Sequence, residues 1–289
     1  RSSSQFSVFK RVARTILHPC TMVRLTVTLL VTCMRVVRSQ LRCTLGTVQK
    51  RTGDPFELKN CEELRLLGAS IGDTGISLLA KALADNTNLR LLDLWSNGIG
   101  PAGAAALAVA LKSNRHLDKL YLNENPIGSD GAASLAEALQ HNRVLTTLWL
   151  SRCAIKDAGA EALAASLASP HGGVGSALQV LDIWENEIGP KGGRAIAKAL
   201  HSNHALRTLE LRGNKMGDDG AKDFAAAMTR NKALGTLDLL GNGVTSVGRE
   251  ALMSGLKSST AGFYLVLFED GLPHQQWTSW QAKGKDEAP

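Results

Sequence analysis

Between Arg1 and Gly53 the chain contains neither aspartate nor glutamate, and Asp54 is its first acid. That absence relocates the charge. Ten of the 33 lysines and arginines fall in this stretch, so the net charge of +7 and the pI of 9.3 belong to it. Residues 54–289 carry 23 bases against 26 acids, a net of −3. A nucleic-acid reading therefore has no electrostatic basis in the larger part of the chain. Long apolar runs are missing too. The apolar stretch Leu25–Met34 has ten residues between Arg24 and Arg35, too short for a membrane span. The five cysteines (Cys20, Cys33, Cys43, Cys61, Cys153) show no CxxC or Cys/His spacing. Neither a metal nor a disulfide framework is expected, and the cysteine usage suits a reducing compartment. No GxxxxGK[ST] loop, GxSxG elbow or HExxH helix occurs, and no carboxylate pair suggests acid/base work. The expectation is a non-catalytic protein with no cofactor.

What the chain does have is a ruler. The phrase Leu-x-x-Leu-x-Leu-x-x-Asn-x-Ile-Gly begins at Leu89 and Leu117 and returns at Leu145, Leu178, Leu206 and Leu234. A degraded copy starts at Cys61 and a worn one at Gly262, each 28 residues from its neighbour. The step from Leu145 to Leu178 is 33 residues. Self-similarity at a fixed period of this length marks a stacked repeat protein.

Counting the first residue of each copy as position 1, position 15 is glycine throughout, from Gly75 to Gly248. Positions 19 and 23 are large and apolar, as in Leu107 and Leu111 or Leu135 and Leu139. Apolar residues four apart in an alanine-rich setting predict a helix of about three turns. Positions 3 to 7 alternate, which predicts a short strand with positions 4 and 6 inward. Strand, loop and helix then repeat, so the strands must pair in parallel. The asparagine of position 9 (Asn97, Asn125, Asn186, Asn214, Asn242) follows each strand, where its side chain can satisfy backbone groups at the bend. Ala69 and Cys153 replace it in two copies. The glycine of position 15 is expected to let the helix start lie close to the strand layer.

These residues resemble a leucine-rich repeat of the ribonuclease-inhibitor-like class over residues 58–272. The same class supplies the sensor domains of NOD-like receptors and the body of Ran GTPase-activating proteins. The resemblance implies an α/β solenoid, a horseshoe with parallel strands on the concave face and helices on the convex face. Spacing leads there independently, since strands stack at about 4.8 Å and helices at about 10 Å.

In such a strand the side chains of positions 3, 5 and 7 face solvent. Trp95, Tyr121, Trp149 and Trp184 then stand on four consecutive strands, and exposed Trp and Tyr are over-represented at binding hot spots. Asp93, Asp182, Glu210 and Asp238 share position 5, and Arg212 holds position 7 beside Glu210. Like charges side by side are unfavourable, and a partner offering Lys or Arg would relieve them. A second reading stands beside this one. Aspartate at position 5 belongs to the common Leu-Asp-Leu phrase of the family, and tryptophan at position 7 can pack on its neighbours and stiffen the sheet.

Three segments lie off the ruler. Residues 1–53 form a basic leader, either poorly ordered, targeting-like, or an N-terminal cap in which 23–31 pairs as a strand. Around Pro170 an insertion with Gly172, Gly173 and Gly175 lengthens one loop. After the array (54–272), residues 273–289 form a cap and tail, with Trp277 and Trp280 spaced as on one helical turn. The function expected is a protein-binding scaffold working as a monomer in the cytoplasm, or in an organelle if the leader is a transit peptide. Its partner would be a protein rather than nucleic acid or membrane. The alternatives are a GTPase activator resembling the Ran type and the sensor fragment of a NOD-like receptor.

Overall fold

The computed structural model describes residue 58, residues 61–168 and 177–259, and two further strands at 264–266 and 279–281. The leader, the 169–176 insertion, Trp277 and most of the 273–289 tail lie outside the described residues. Eight three-residue strands run in parallel, each paired with the next in sequence. They are β1 Glu63–Arg65, β2 Leu91–Asp93, β3 Lys119–Tyr121, β4 Thr147–Trp149, β5 Val180–Asp182, β6 Thr208–Glu210, β7 Thr236–Asp238 and β8 Tyr264–Val266. Between them run α1 Gly72–Ala84, α2 Pro101–Ser113, α3 Gly128–His141, α4 Lys156–Leu167, α5 Pro190–Leu200, α6 Gly217–Met228 and α7 Ser246–Ser258. A ninth strand, β9 Ser279–Gln281, pairs antiparallel with β8 and opposes Trp280 to Leu265. Trp280 thus lies in a strand and not on the helical turn its spacing suggests. The reason is physical: the outer edge of β8 offers unpaired backbone groups to any extended segment that reaches it.

The core follows the leucine rows. Leu64, Leu92, Leu120, Leu148, Leu181, Leu209 and Leu237 stand in one unbroken register across the sheet and are sealed from solvent. Leu107, Leu135, Leu163, Ile196 and Phe224 close on them from the helices. The glycines of position 15 have a reason slightly different from the expected one. A Cβ at Gly131 would stand 2.5 Å from Ile127 Cγ2 and 3.0 Å from Ala104 Cβ. The close approach is to the isoleucine of the same turn and to the preceding helix.

Two asparagine ladders hold consecutive repeats together. Asn125 donates from Nδ2 to Leu94 O and Leu122 O, at 2.9 and 2.8 Å, while its Oδ1 accepts from Asn97 N and Ile99 N. Asn186 and Asn214 repeat the pattern. A second ladder runs along the helix ends. Asn114 donates to Leu83 O and Asn86 O, and accepts from His116 N and Leu117 N, so the last carbonyls of one helix meet the next repeat. Helix starts are bridged as well. Asp73, Asp157 and Asp218 each accept from two backbone N–H groups of the next repeat, at Gly100 and Gly103, Gly189 and Gly192, and Thr245 and Gly248.

Cys153 shows what the amide supplies. Its buried thiol donates to Leu122 O at 3.2 Å but offers no amide oxygen, and Ile127 N–H bonds to Asn125 O instead. Burial pushes the thiol up to about 12, so it stays a protonated donor. Cys61 departs from the expectation of unbridged cysteines: it is disulfide-bonded, which removes the cysteine argument for a reducing compartment.

Two outcomes follow for stability. Asn125→Ala should lower the unfolding free energy by about 3 kcal/mol, because it strands several buried backbone groups. Cys153→Asn should raise it by about 1 kcal/mol; chemical denaturation measures both, and a neutral Asn125→Ala would refute the role given to the ladder. Removing residues 273–289 strips β9 from β8. Melting should then come earlier, and light scattering should show concentration-dependent association through the bared edge; an unchanged, monodisperse monomer would contradict this.

Candidate functional site

The alternation of each strand turns positions 3, 5 and 7 to the face opposite the helices. Tyr121 and Trp149 occupy paired register positions on β3 and β4, and their rings stack with centroids 4.0 Å apart and planes 17° from parallel. Both are half-buried, with ring surface left open to solvent. Trp184, just past β5, lies under the guanidinium of Arg152, whose Cζ is 4.9 Å from the ring centroid. Trp95, just past β2, is half-buried and takes part in neither contact.

The sequence reading passed over Arg152. It is exposed, and its guanidinium reaches Glu124 at 3.0 Å and Glu185 at 2.6 Å. Glu124, Arg152 and Glu185 all hold position 8, and there the backbone is left-handed in every repeat among the described residues. Gly68, Gly213 and Gly241 take that conformation without strain, with φ between 61° and 67°. Ser96, Glu124, Arg152 and Glu185 adopt it with side chains, at φ between 50° and 56°. A non-glycine residue held this way carries strain of about 1–2 kcal/mol. The strained positions follow β2, β3, β4 and β5, the strands that carry the four aromatics. A signal existed in the sequence, since position 8 reads Glu, Arg, Glu in three successive copies where Gly68, Gly213 and Gly241 keep glycine.

The acids divide. Asp93 is buried rather than solvent-facing: it is 4% exposed between Arg65 and Tyr121, the residues paired with it on β1 and β3. Burial holds its carboxyl above the usual range, offset by a hydrogen bond from Trp95 N and by the charge of Arg65. Position 7 is also covered in two repeats, at Asn123 and Ser151. Asp182, Glu210 and Asp238 are partly open and lie in direct register on β5, β6 and β7. Asp182 and Asp238 each accept from the backbone two residues on, at Trp184 N and Leu240 N. Those aspartates therefore have a local structural task, as the family phrase implies, and Glu210 has no such bond among the described residues. Burial raises Asp182 to about 6, with the charge of Asp238 adding to it. Burial and the charges of Asp238 and Asp182 raise Glu210 to about 7. Arg212 is exposed and its charge draws Glu210 and Asp238 back downward.

A carboxylate raised in the folded state stabilises the fold below its unfolded value, near 4, and loses that contribution as pH rises through the folded value. For Asp182 and Glu210 the loss falls between about pH 4 and pH 7. Melting of Glu210→Gln should therefore change less between pH 5 and pH 8 than melting of the unaltered chain; parallel curves would refute the shared burial of this row.

A family model described as leucine-rich repeat matches residues 85–108, 113–136, 141–164, 177–197 and 202–225. Each matched segment holds one strand and the start of the helix after it. No curated protein matches the chain. Among solved structures 91 chains match. One of them, titled leiomodin-1 actin-binding site 2, is 20% identical, with an alignment covering 68% of this chain and 82% of that chain at a TM-score of 0.37. A superposition that loose says nothing about what this chain binds. Among the described residues no helix is long and apolar enough to cross a membrane. Read together with the parallel leucine register and the asparagine ladder, the family match establishes that this chain is a leucine-rich repeat protein.

Proposed function

We propose that the chain is a non-catalytic protein-binding module whose docking surface is the open, concave face of the sheet, anchored by Trp95, Tyr121, Trp149 and Trp184. The observation that carries this reading is the stacked Tyr121–Trp149 pair, half-exposed at the middle of the sheet beside Arg152 and Trp184. Stacking pre-orders two aromatic side chains, so less freedom is lost when a partner lands on them. Eight strands at about 4.8 Å give a face roughly 35 Å across, enough for a standard protein interface. The strained row at position 8 supports the same surface, because strain of this kind clusters where binding is done. Asp93 serves this surface from beneath, while Asp182, Glu210, Asp238 and Arg212 form its charged flank. The module works as a monomer, with β9 covering the outer edge of β8.

Partners retained by the immobilised chain should bind the Trp149→Ala or Trp184→Ala variant more weakly by about 2 kcal/mol. The melting temperature should barely move, because neither indole belongs to the leucine core. Lys112→Ala and Lys198→Ala, on the helix side, where Lys112 is half-buried and paired with Glu137 and Lys198 is exposed, should leave binding intact. Affinity that survives the tryptophan changes and falls with the lysine changes would overturn the assignment of the surface.

A further inference from the structure

Arg152 is a template for what this surface accepts. Its guanidinium lies over one indole, Trp184, and closes on two carboxylates supplied by neighbouring repeats, Glu124 and Glu185. The same three ingredients are laid out one row away, at position 5, with the cation missing. Trp149 offers an indole, stacked on Tyr121 on one side. On its other side it is paired in register with Asp182, about 4.8 Å away across the sheet. Glu210 and Asp238 continue that register. Among the described residues no lysine or arginine stands within ion-pair distance of these three acids. Arg212 is the nearest cation named by their electrostatics, and it points into solvent as an exposed side chain.

Net charge agrees. Positions 3, 5, 7 and 8 from β2 to β7 carry Asp93, Glu124, Asp182, Glu185, Glu210 and Asp238 against Lys119, Arg152 and Arg212, a net of −3. Three half-buried carboxylates side by side are unfavourable; Glu210 answers by holding its proton and donating it to Asp238, a proton that an incoming cation would displace.

We propose that the occupant of this face is an extended protein segment presenting arginine, whose guanidinium lies over Trp149 and pairs with the carboxylates of Asp182, Glu210 and Asp238. Arginine fits better than lysine, because its plane stacks on an indole while its fork meets carboxylates in pairs. This inference rests on the proposed docking face and adds the chemistry of what docks there.

The test uses the full chain and fluorescein-labelled peptides of about ten residues, long enough to cross the sheet, alternating alanine with arginine, lysine or glutamate. Anisotropy should show the arginine peptide bound, the lysine peptide weaker, and the glutamate peptide unbound. The triple variant Asp182→Asn, Glu210→Gln, Asp238→Asn should lose about tenfold in affinity or more, as should Trp149→Ala. Glu137→Gln with Glu161→Gln, on exposed helix positions, should lose nothing. Equal binding of the lysine and arginine peptides, or of the arginine peptide to the triple variant, overturns the proposal. So does an equal loss in the helix-side variant, which would mean unspecific attraction. If the peptides fail but a retained protein partner still loses affinity through Trp149→Ala, the arginine chemistry is wrong and the docking face stands. If Trp149→Ala affects neither, the face itself is wrong.

Discussion

The structure depends on one recurring hydrogen-bonding unit, the side-chain amide that follows each strand. A chain that leaves a strand every 28 residues and turns outward to a helix strands backbone N–H and C=O groups at each bend. Burying them without partners would cost more than the leucine contacts at that bend return. The asparagine amide meets both needs together, donating to the carbonyls of the preceding repeat and accepting its N–H groups. Because each amide reaches one repeat back, it also sets the distance between repeats. Register of the strands, stacking of the helices and position of the face all inherit that spacing.

From that constraint the proposed docking surface follows. A sheet whose inner side is fixed by leucines and amides leaves positions 3, 5 and 7 freer to vary, except where neighbours cover them, as at Asp93, Asn123 and Ser151. The left-handed residue at position 8 is the hinge through which the chain leaves the sheet, and glycine would serve there. Four successive repeats place Ser96, Glu124, Arg152 and Glu185 at it instead, against a local conformational penalty. Three of those side chains form the ion triplet beside Trp184. The region of highest local strain and the region richest in aromatics therefore coincide on β2 to β5.

The period made the fold legible. The leucine rows, the parallel order of the strands and the role of Asn125 all follow from counting positions. Other features were not, for reasons that lie in space rather than in spacing. Asp93 reads like Asp182 and Asp238, but Arg65 and Tyr121 flank it and it is buried. The capping task of Asp73, Asp157 and Asp218 crosses from one repeat to the next, so local motifs do not reveal it. Trp280 was spaced like a helical residue and lies in a strand, because a free sheet edge outweighs weak local preference. Arg152 was visible as a residue and silent as a site until Trp184 was found beneath it.

The central claim is that specificity resides on the sheet face and its exit turns, and not on the helices. Hydrogen–deuterium exchange of the chain with and without the arginine–alanine peptide tests it directly. The expected result is slowed exchange at 119–125, 147–153 and 180–187, around Tyr121, Trp149 and Trp184, with α2 to α5 unchanged. Protection confined to the helices, with the strands and their exit turns unaltered, would contradict the account.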